Sequence, residues 1–178
     1  MLLAIAGKPG SGKSAVARRL ADSLNLELMS FGALFRDKAQ EMSLSLDELG
    51  DYAESHEEVD LELDREQLNY IKRGGCIIDS RLGGYMAWRE EIPSVKIYLK
   101  ACLEVRAQRV ANREDIKIDV AKDEIEKRDA SEKRRYHNLY SIDIDDLSPY
   151  DLVINSELLA EIGVFEVSKT FCEFHLSP

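Results

Sequence analysis

No apolar run in the 178-residue chain comes near the roughly 18 residues needed to cross a bilayer, and none looks like a cleavable leader. We therefore expect a soluble, cytoplasmic protein with no membrane partner. Cysteine is scarce. Cys76, Cys102 and Cys172 are odd in number and form no C-x-x-C pair, which argues against a disulfide framework and a zinc site. His56, His137 and His175 lie far apart, and His56-Glu57-Glu58-Val59-Asp60 lacks the second histidine of the zinc-protease motif. Positive charge is in deficit: a net charge of −10 and a pI near 4.9 weigh against general nucleic-acid binding, which calls for a basic footprint. With four prolines, no internal repeat and no low-complexity tract, residues 1–178 read as one domain and a monomer.

What is present is an alternation of short apolar runs and helix-like stretches. Leu2-Leu3-Ala4-Ile5-Ala6 is apolar without alternation, as expected of a central parallel strand covered on both faces. From Lys13 to Leu24, Val16, Ala17, Leu20, Ala21 and Leu24 recur at helical spacing. Further apolar runs at Leu26 to Met29, Cys76 to Ile78, Val95 to Leu99 and Leu152 to Ile154, each separated from the next by helix-like segments, predict a doubly wound α/β fold with a parallel sheet of about five strands. Between the second and third runs, residues 31–74 carry three helix-like pieces and no strand, enough for a flap over a ligand. Residues 106–135 are helical in pattern with a break near Asp115 to Asp119, where a short lid could turn.

The strongest chemical signal is Gly7-Lys8-Pro9-Gly10-Ser11-Gly12-Lys13-Ser14, a complete G-x-x-x-x-G-K-[ST] phosphate loop running on into Ala15. Strand, glycine turn and helix in that order aim successive N–H groups at a phosphate. Lys13 suits the β- and γ-oxygens of ATP, and Ser14 suits Mg²⁺. No Asn-Lys-x-Asp specifies guanine; Asp47-Glu48-Leu49-Gly50 has the D-x-x-G form but falls in a helical stretch, so we treat it as accidental.

The run Cys76-Ile77-Ile78 ends in Asp79, Ser80 and Arg81, on the phosphate-loop side of a parallel sheet. Asp79 could hold a water of the Mg²⁺ shell and Arg81 an acceptor phosphate; a helix cap and a surface ion pair are the plainer readings. Of thirteen arginines, eight lie between positions 81 and 135. Arg106, Arg109 and Arg113 share one helix face, and Arg128, Glu132 and Arg135 share another. Guanidiniums closing from two faces would stabilise charge in phosphoryl transfer, whereas solvated charge pairing would need nothing else.

Assembled, these residues resemble the archaeal-type cytidylate kinases of the nucleoside monophosphate kinase superfamily. The likeness runs from Met1 to about Ser156 and rests on the phosphate loop, Phe31-Gly32-Ala33-Leu34-Phe35-Arg36, the Asp60 to Asp64 acidic helix, Ser80-Arg81-Leu82, Leu103-Glu104-Val105-Arg106 and, most specifically, Arg135-Tyr136 through Ile142-Asp143-Ile144-Asp145-Asp146-Leu147 to Asn155. The resemblance implies an α/β, three-layer P-loop kinase fold with a helical acceptor-binding insert and a short lid, and ATP-dependent phosphorylation of CMP and dCMP. It also implies acceptor contacts from Ser30 and Arg36, a clamp on the monophosphate from Arg81, and base, ribose and phosphate contacts from Arg128, Glu132 and Arg135. Lys13 and the lid arginines Arg109, Arg113 and Arg128 would stabilise the transferred charge, with Arg81 at the acceptor end. Asp60, Asp64 and Glu132 are all candidates to accept from the cytosine amine. The family usually places Glu-Gly before the strand-end arginine, where this chain has Asp79-Ser80. A kinase for AMP, UMP or dephospho-coenzyme A is an alternative, as is an adenylate-kinase-like ATPase serving ribosome assembly.

Overall fold

A computed structural model describes residues 1–176. In chain order its elements are β1 (Leu2–Ala6), α1 (Lys13–Leu24), β2 (Glu27–Ser30), α2 (Phe31–Glu41), α3 (Leu46–Ala53), α4 (Glu57–Arg73) and β3 (Cys76–Asp79). There follow α5 (Gly83–Arg89), β4 (Val95–Lys100), α6 (Leu103–Glu114), α7 (Ile118–Tyr140), β5 (Leu152–Asn155) and α8 (Glu161–Leu176). The strands form one parallel sheet in the order β2-β3-β1-β4-β5, with β1 at its centre.

All five residues of β1 are buried, which is why this strand shows no polar alternation. Leu3 and Ile5 face α1 and α8 in a core with Val16, Leu20, Leu99 and Phe165. Leu2 points the other way, into a second core with Met29, Ile71, Ile78 and Ala87 that α4 and α5 cover. Helices thus sheathe both faces, and the register sets Ile5 beside Asp79 and Asp79 beside Ser30 at the carboxyl ends of three adjoining strands. A ligand in this architecture sits at those ends.

Two helical outgrowths flank that edge. Three helices separate β2 from β3, and α2, α3 and α4 bury a small core of their own built on Phe35, Ala39, Leu49, Val59 and Leu63. Ser45 and Glu48 form a capping box that starts α3. On the other side α6 and α7 pack through Ala107, Val110, Ala111, Ala121 and Ile125, with Asp115 in the left-handed conformation ending α6. The turn between them spans 115–117, slightly shorter than the break expected from the sequence.

Helix α5 is the short helical segment expected between the third and fourth apolar runs. Gly83 and Gly84 let it lie against the sheet: a Cβ on Gly83 would meet Ile78 Cγ2 at 2.6 Å, and one on Gly84 would meet Tyr150 Cε1 at 2.6 Å.

Candidate active site

The phosphate loop folds as its glycines require. Gly7 has φ +151°, and a Cβ there would stand 2.5 Å from both the Leu99 carbonyl and Ser11 Oγ; at Gly10, with φ +80°, a Cβ would stand 2.6 Å from the Arg106 carbonyl. From behind, Arg109 fastens the loop. Its Nη1 donates to the carbonyls of Gly10 (3.4 Å) and Ser11 (3.3 Å) and to Ser156 Oγ (3.0 Å), while Nη2 donates to the Ser156 carbonyl at 2.6 Å. The Ser156 hydroxyl also lies 2.9 Å from the Ser11 carbonyl. Since a planar trans peptide sets N–H opposite C=O, turning the Ser11 carbonyl backwards leaves the Gly12 N–H on the ligand side.

Lys13 opens α1, and its Nζ lies 3.4 Å from Asp79 Oδ1 and 3.4 Å from Ser14 Oγ. Ser30 Oγ donates to Asp79 Oδ2 at 3.2 Å. Two strand ends and a helix start thus gather a lysine, two hydroxyls and a buried carboxylate. Lys8, two residues before Gly10, pairs with Asp145 at 2.7 Å and ties the loop to the acidic turn that follows α7.

Beyond Asp79 runs a chain of ion pairs. Arg81 Nε meets Glu132 at 2.5 Å and Arg81 Nη2 meets Asp129 at 3.1 Å. Asp129 also takes Arg106, whose Nη1 lies 3.0 Å from it and 3.3 Å from the Pro9 carbonyl. Arg128 Nε donates to Glu132 at 2.8 Å. The arginine and carboxylate face read in α7 is therefore divided: Glu132 lies between Arg128 and Arg81, whereas Arg135 turns to α4 and donates to both oxygens of Asp60, at 2.7 and 2.9 Å. The α6 face divides too, for Arg106 joins the ion-pair chain, Arg109 sits behind the loop, and the exposed Arg113 pairs with Glu114 at 2.6 Å.

These surroundings set the charges. Burial alone would push Glu132 up, but Arg81, Arg128 and Arg135 outweigh it and hold the carboxyl below its ordinary value. Asp60 is raised by burial despite Arg135. Asp64 accepts from the Tyr140 hydroxyl at 2.7 Å, and burial pushes its carboxyl up to about 7.

A cavity of about 340 Å³ opens between the two outgrowths, lined in part by Pro9, Arg36, Arg113, Arg128, Glu132 and Arg135. Phe31 and Phe35, ring centroids 6.4 Å apart, form an aromatic wall. Arg36 is exposed and enters no ion pair among the described residues. Ser30, Asp60, Asp64, Arg81 and Arg109 do not line the cavity. The sequence reading passed over Asp129 and Ser156. Asp129 had a signal, being one turn before Glu132 on the same helix face. Ser156 had none.

The family model described as cytidylate kinase-like matches residues 2–158. The chain belongs to this family. Among curated members, it is 43% identical over 168 residues to a cytidylate kinase of Methanocaldococcus jannaschii, covering 94% of each chain. It is 39% identical over 178 residues to a cytidylate kinase of Pyrococcus horikoshii, covering all of this chain and 91% of the other. Among solved structures it is similar to a protein of Eubacterium ventriosum (TM-score 0.72, 20% identity, 97% and 98% coverage) and to a shikimate kinase of Aquifex aeolicus (TM-score 0.59, 16% identity, 100% coverage of both). At such identity these two neighbours speak for the P-loop kinase fold alone. Family membership makes this chain a nucleoside monophosphate kinase, a phosphotransferase.

Proposed function

We propose that the protein transfers the γ-phosphoryl group of ATP to CMP and dCMP, giving CDP and dCDP. The observation that carries this reading is the gathering of Lys13, Asp79 and Ser30 at the strand ends beside a cavity rimmed by guanidiniums, in a chain of the cytidylate kinase-like family.

In this reading residues 7–15 hold the donor triphosphate, and Lys13 neutralises the oxygens between which the phosphoryl group passes. Ser14 Oγ and the Asp79 carboxylate fit Mg²⁺: both offer hard oxygen donors beside the loop, and Asp79, 2% exposed, has Lys13 as its cation. Among the described residues no group of three His, Cys, Asp or Glu side chains could hold a metal, which agrees with an ion that takes its other ligands from phosphate and water. When bound, Mg²⁺ supplies charge neutralisation on the donor phosphates.

On the acceptor side, Arg36 and Arg81 hold the monophosphate. Nη1 of Arg81 has no hydrogen-bond partner among the described residues, so it can turn to a phosphate while Nε stays with Glu132. Arg113 and Arg128 reach the transferred charge from the rim of the cavity. The acceptor is already an anionic phosphate, so in-line attack needs no general base. Residues 31–74 act as the acceptor-binding insert and residues 106–135 as the lid. Their closure excludes water, which would otherwise take the phosphoryl group.

An acceptor panel in a coupled ADP-release assay, with and without magnesium, tests the proposal. CMP and dCMP should be turned over at the highest kcat/KM and only with the metal. Equal or faster turnover of AMP, UMP or dephospho-coenzyme A, or ATP hydrolysis indifferent to every monophosphate, would reject it.

A further inference from the structure

We propose that Asp64, together with Gln67, is what reads the exocyclic amine of the acceptor base, an inference that rests on the acceptor being a cytidine monophosphate. Of the three candidate carboxylates, Glu132 lines the cavity, whereas Asp60 and Asp64 are buried outside its lining, and their hydrogen bonds separate them. Glu132 is met by Arg128 on Oε1 at 2.8 Å and by Arg81 on Oε2 at 2.5 Å. Both oxygens of Asp60 face Arg135. Each of these two is already matched by guanidinium.

Asp64 is not. Its Oδ2 accepts from Tyr140, but its Oδ1 is buried with no hydrogen-bond partner among the described residues, and no cation pairs with it. The raised pKa of its carboxyl expresses the same lack. Three residues along the same face of α4, Gln67 repeats the pattern: Nε2 donates to the Met86 sulfur at 2.9 Å, while Oε1 is buried without a donor. Native interiors rarely leave such acceptors unpaired, and here two share one helix face.

A primary amine on an aromatic ring carries two N–H groups, one for each acceptor. A carbonyl at the same ring position would confront two acceptors and be refused, which is the difference between cytosine and uracil. Arg135 supplies the approach, for it lines the cavity, lies 5.8 Å from the centroid of the Phe35 ring and holds Asp60, one turn before Asp64. Its Nε has no hydrogen-bond partner among the described residues, so a base drawn in past it can also be met at its ring acceptors N3 and O2.

The test compares kcat/KM for CMP and for UMP in the wild type, Asp64→Asn and Gln67→Leu. Asparagine offers the amine a weaker acceptor and offers a carbonyl a donor. Asp64→Asn should therefore lower the CMP to UMP ratio by about tenfold or more, mainly through KM for CMP, with KM for ATP unchanged. Gln67→Leu should lower the same ratio by roughly threefold to tenfold, and it decides the question alone if Asp64→Asn fails to fold. CMP should also raise the thermal midpoint of the wild type more than that of either variant, while ATP raises all three alike. A ratio within twofold of wild type in the folded variants overturns the inference and leaves a trapped water as the partner of these oxygens. A wild type inert toward CMP removes the proposed reaction itself, so the two failures are told apart.

Discussion

Lys13 Nζ lies 3.4 Å from the Oδ1 of Asp79, a carboxylate only 2% exposed, so the phosphate-loop lysine and the strand-end acid form one unit. Lys13→Ala removes the cation that faces both this acid and the donor phosphates. We expect kcat to fall by about 10³ while the chain stays folded, read by single-turnover kinetics beside a urea melt. A kcat within tenfold of wild type would place the transferred charge elsewhere.

Arg109 meets four acceptors behind the loop, none of them in the cavity. Arg109→Ala should destabilise the fold by about 2–4 kcal/mol and raise KM for ATP, with KM for CMP little changed. Loss of kcat at unchanged stability would assign this arginine directly to the transferred phosphate instead.

Arg36 is the opposite case, exposed at the cavity rim and outside the ion-pair chain. Arg36→Ala should raise KM for the acceptor by about tenfold or more, leave KM for ATP alone and change the unfolding free energy from urea melts by under about 0.5 kcal/mol. Equal losses for donor and acceptor would take it off the acceptor side.

Stability should also depend on pH through Asp64. Its folded pKa, about 7, is above the usual value near 3.8, so between these pH values the folded chain binds the proton and the unfolded chain has lost it. Stability therefore falls as pH rises across that window, by up to about 1.4 kcal/mol per pH unit from this group, and levels off above 7. Asp60, raised in the same direction, adds to the slope. Urea melts from pH 4 to 8 should show Asp64→Asn gaining on the wild type as pH increases; parallel curves would mean that the carboxyl is ionised at neutral pH without penalty.

What the sequence disclosed was what lies close together along it. Leu2 to Ala6, the glycine turn and Lys13 form an unbroken run, so strand, loop and helix could be read at once, and Asp79 followed from its place at the end of an apolar run. Periodicity in α6 and α7 told which arginines share a face but not what that face meets. Arg135 finds Asp60 75 positions away, and Arg109 finds Ser156 47 positions away, distances at which spacing carries no information. The alternation predicts a helix-like segment between Cys76–Ile78 and Val95–Leu99 but not its start at Gly83, because Gly83-Gly84, the pair that lets α5 pack closely, is also a pair that disfavours helix.

Asp129 has one consequence beyond its own neighbourhood. It is a single anion divided between two cations, Arg106 against the Pro9 carbonyl and Arg81 beyond Asp79. An incoming phosphate that draws one of them aside leaves the carboxylate to the other alone. The loop side and the acceptor side of the cleft thus hold one counter-charge in common.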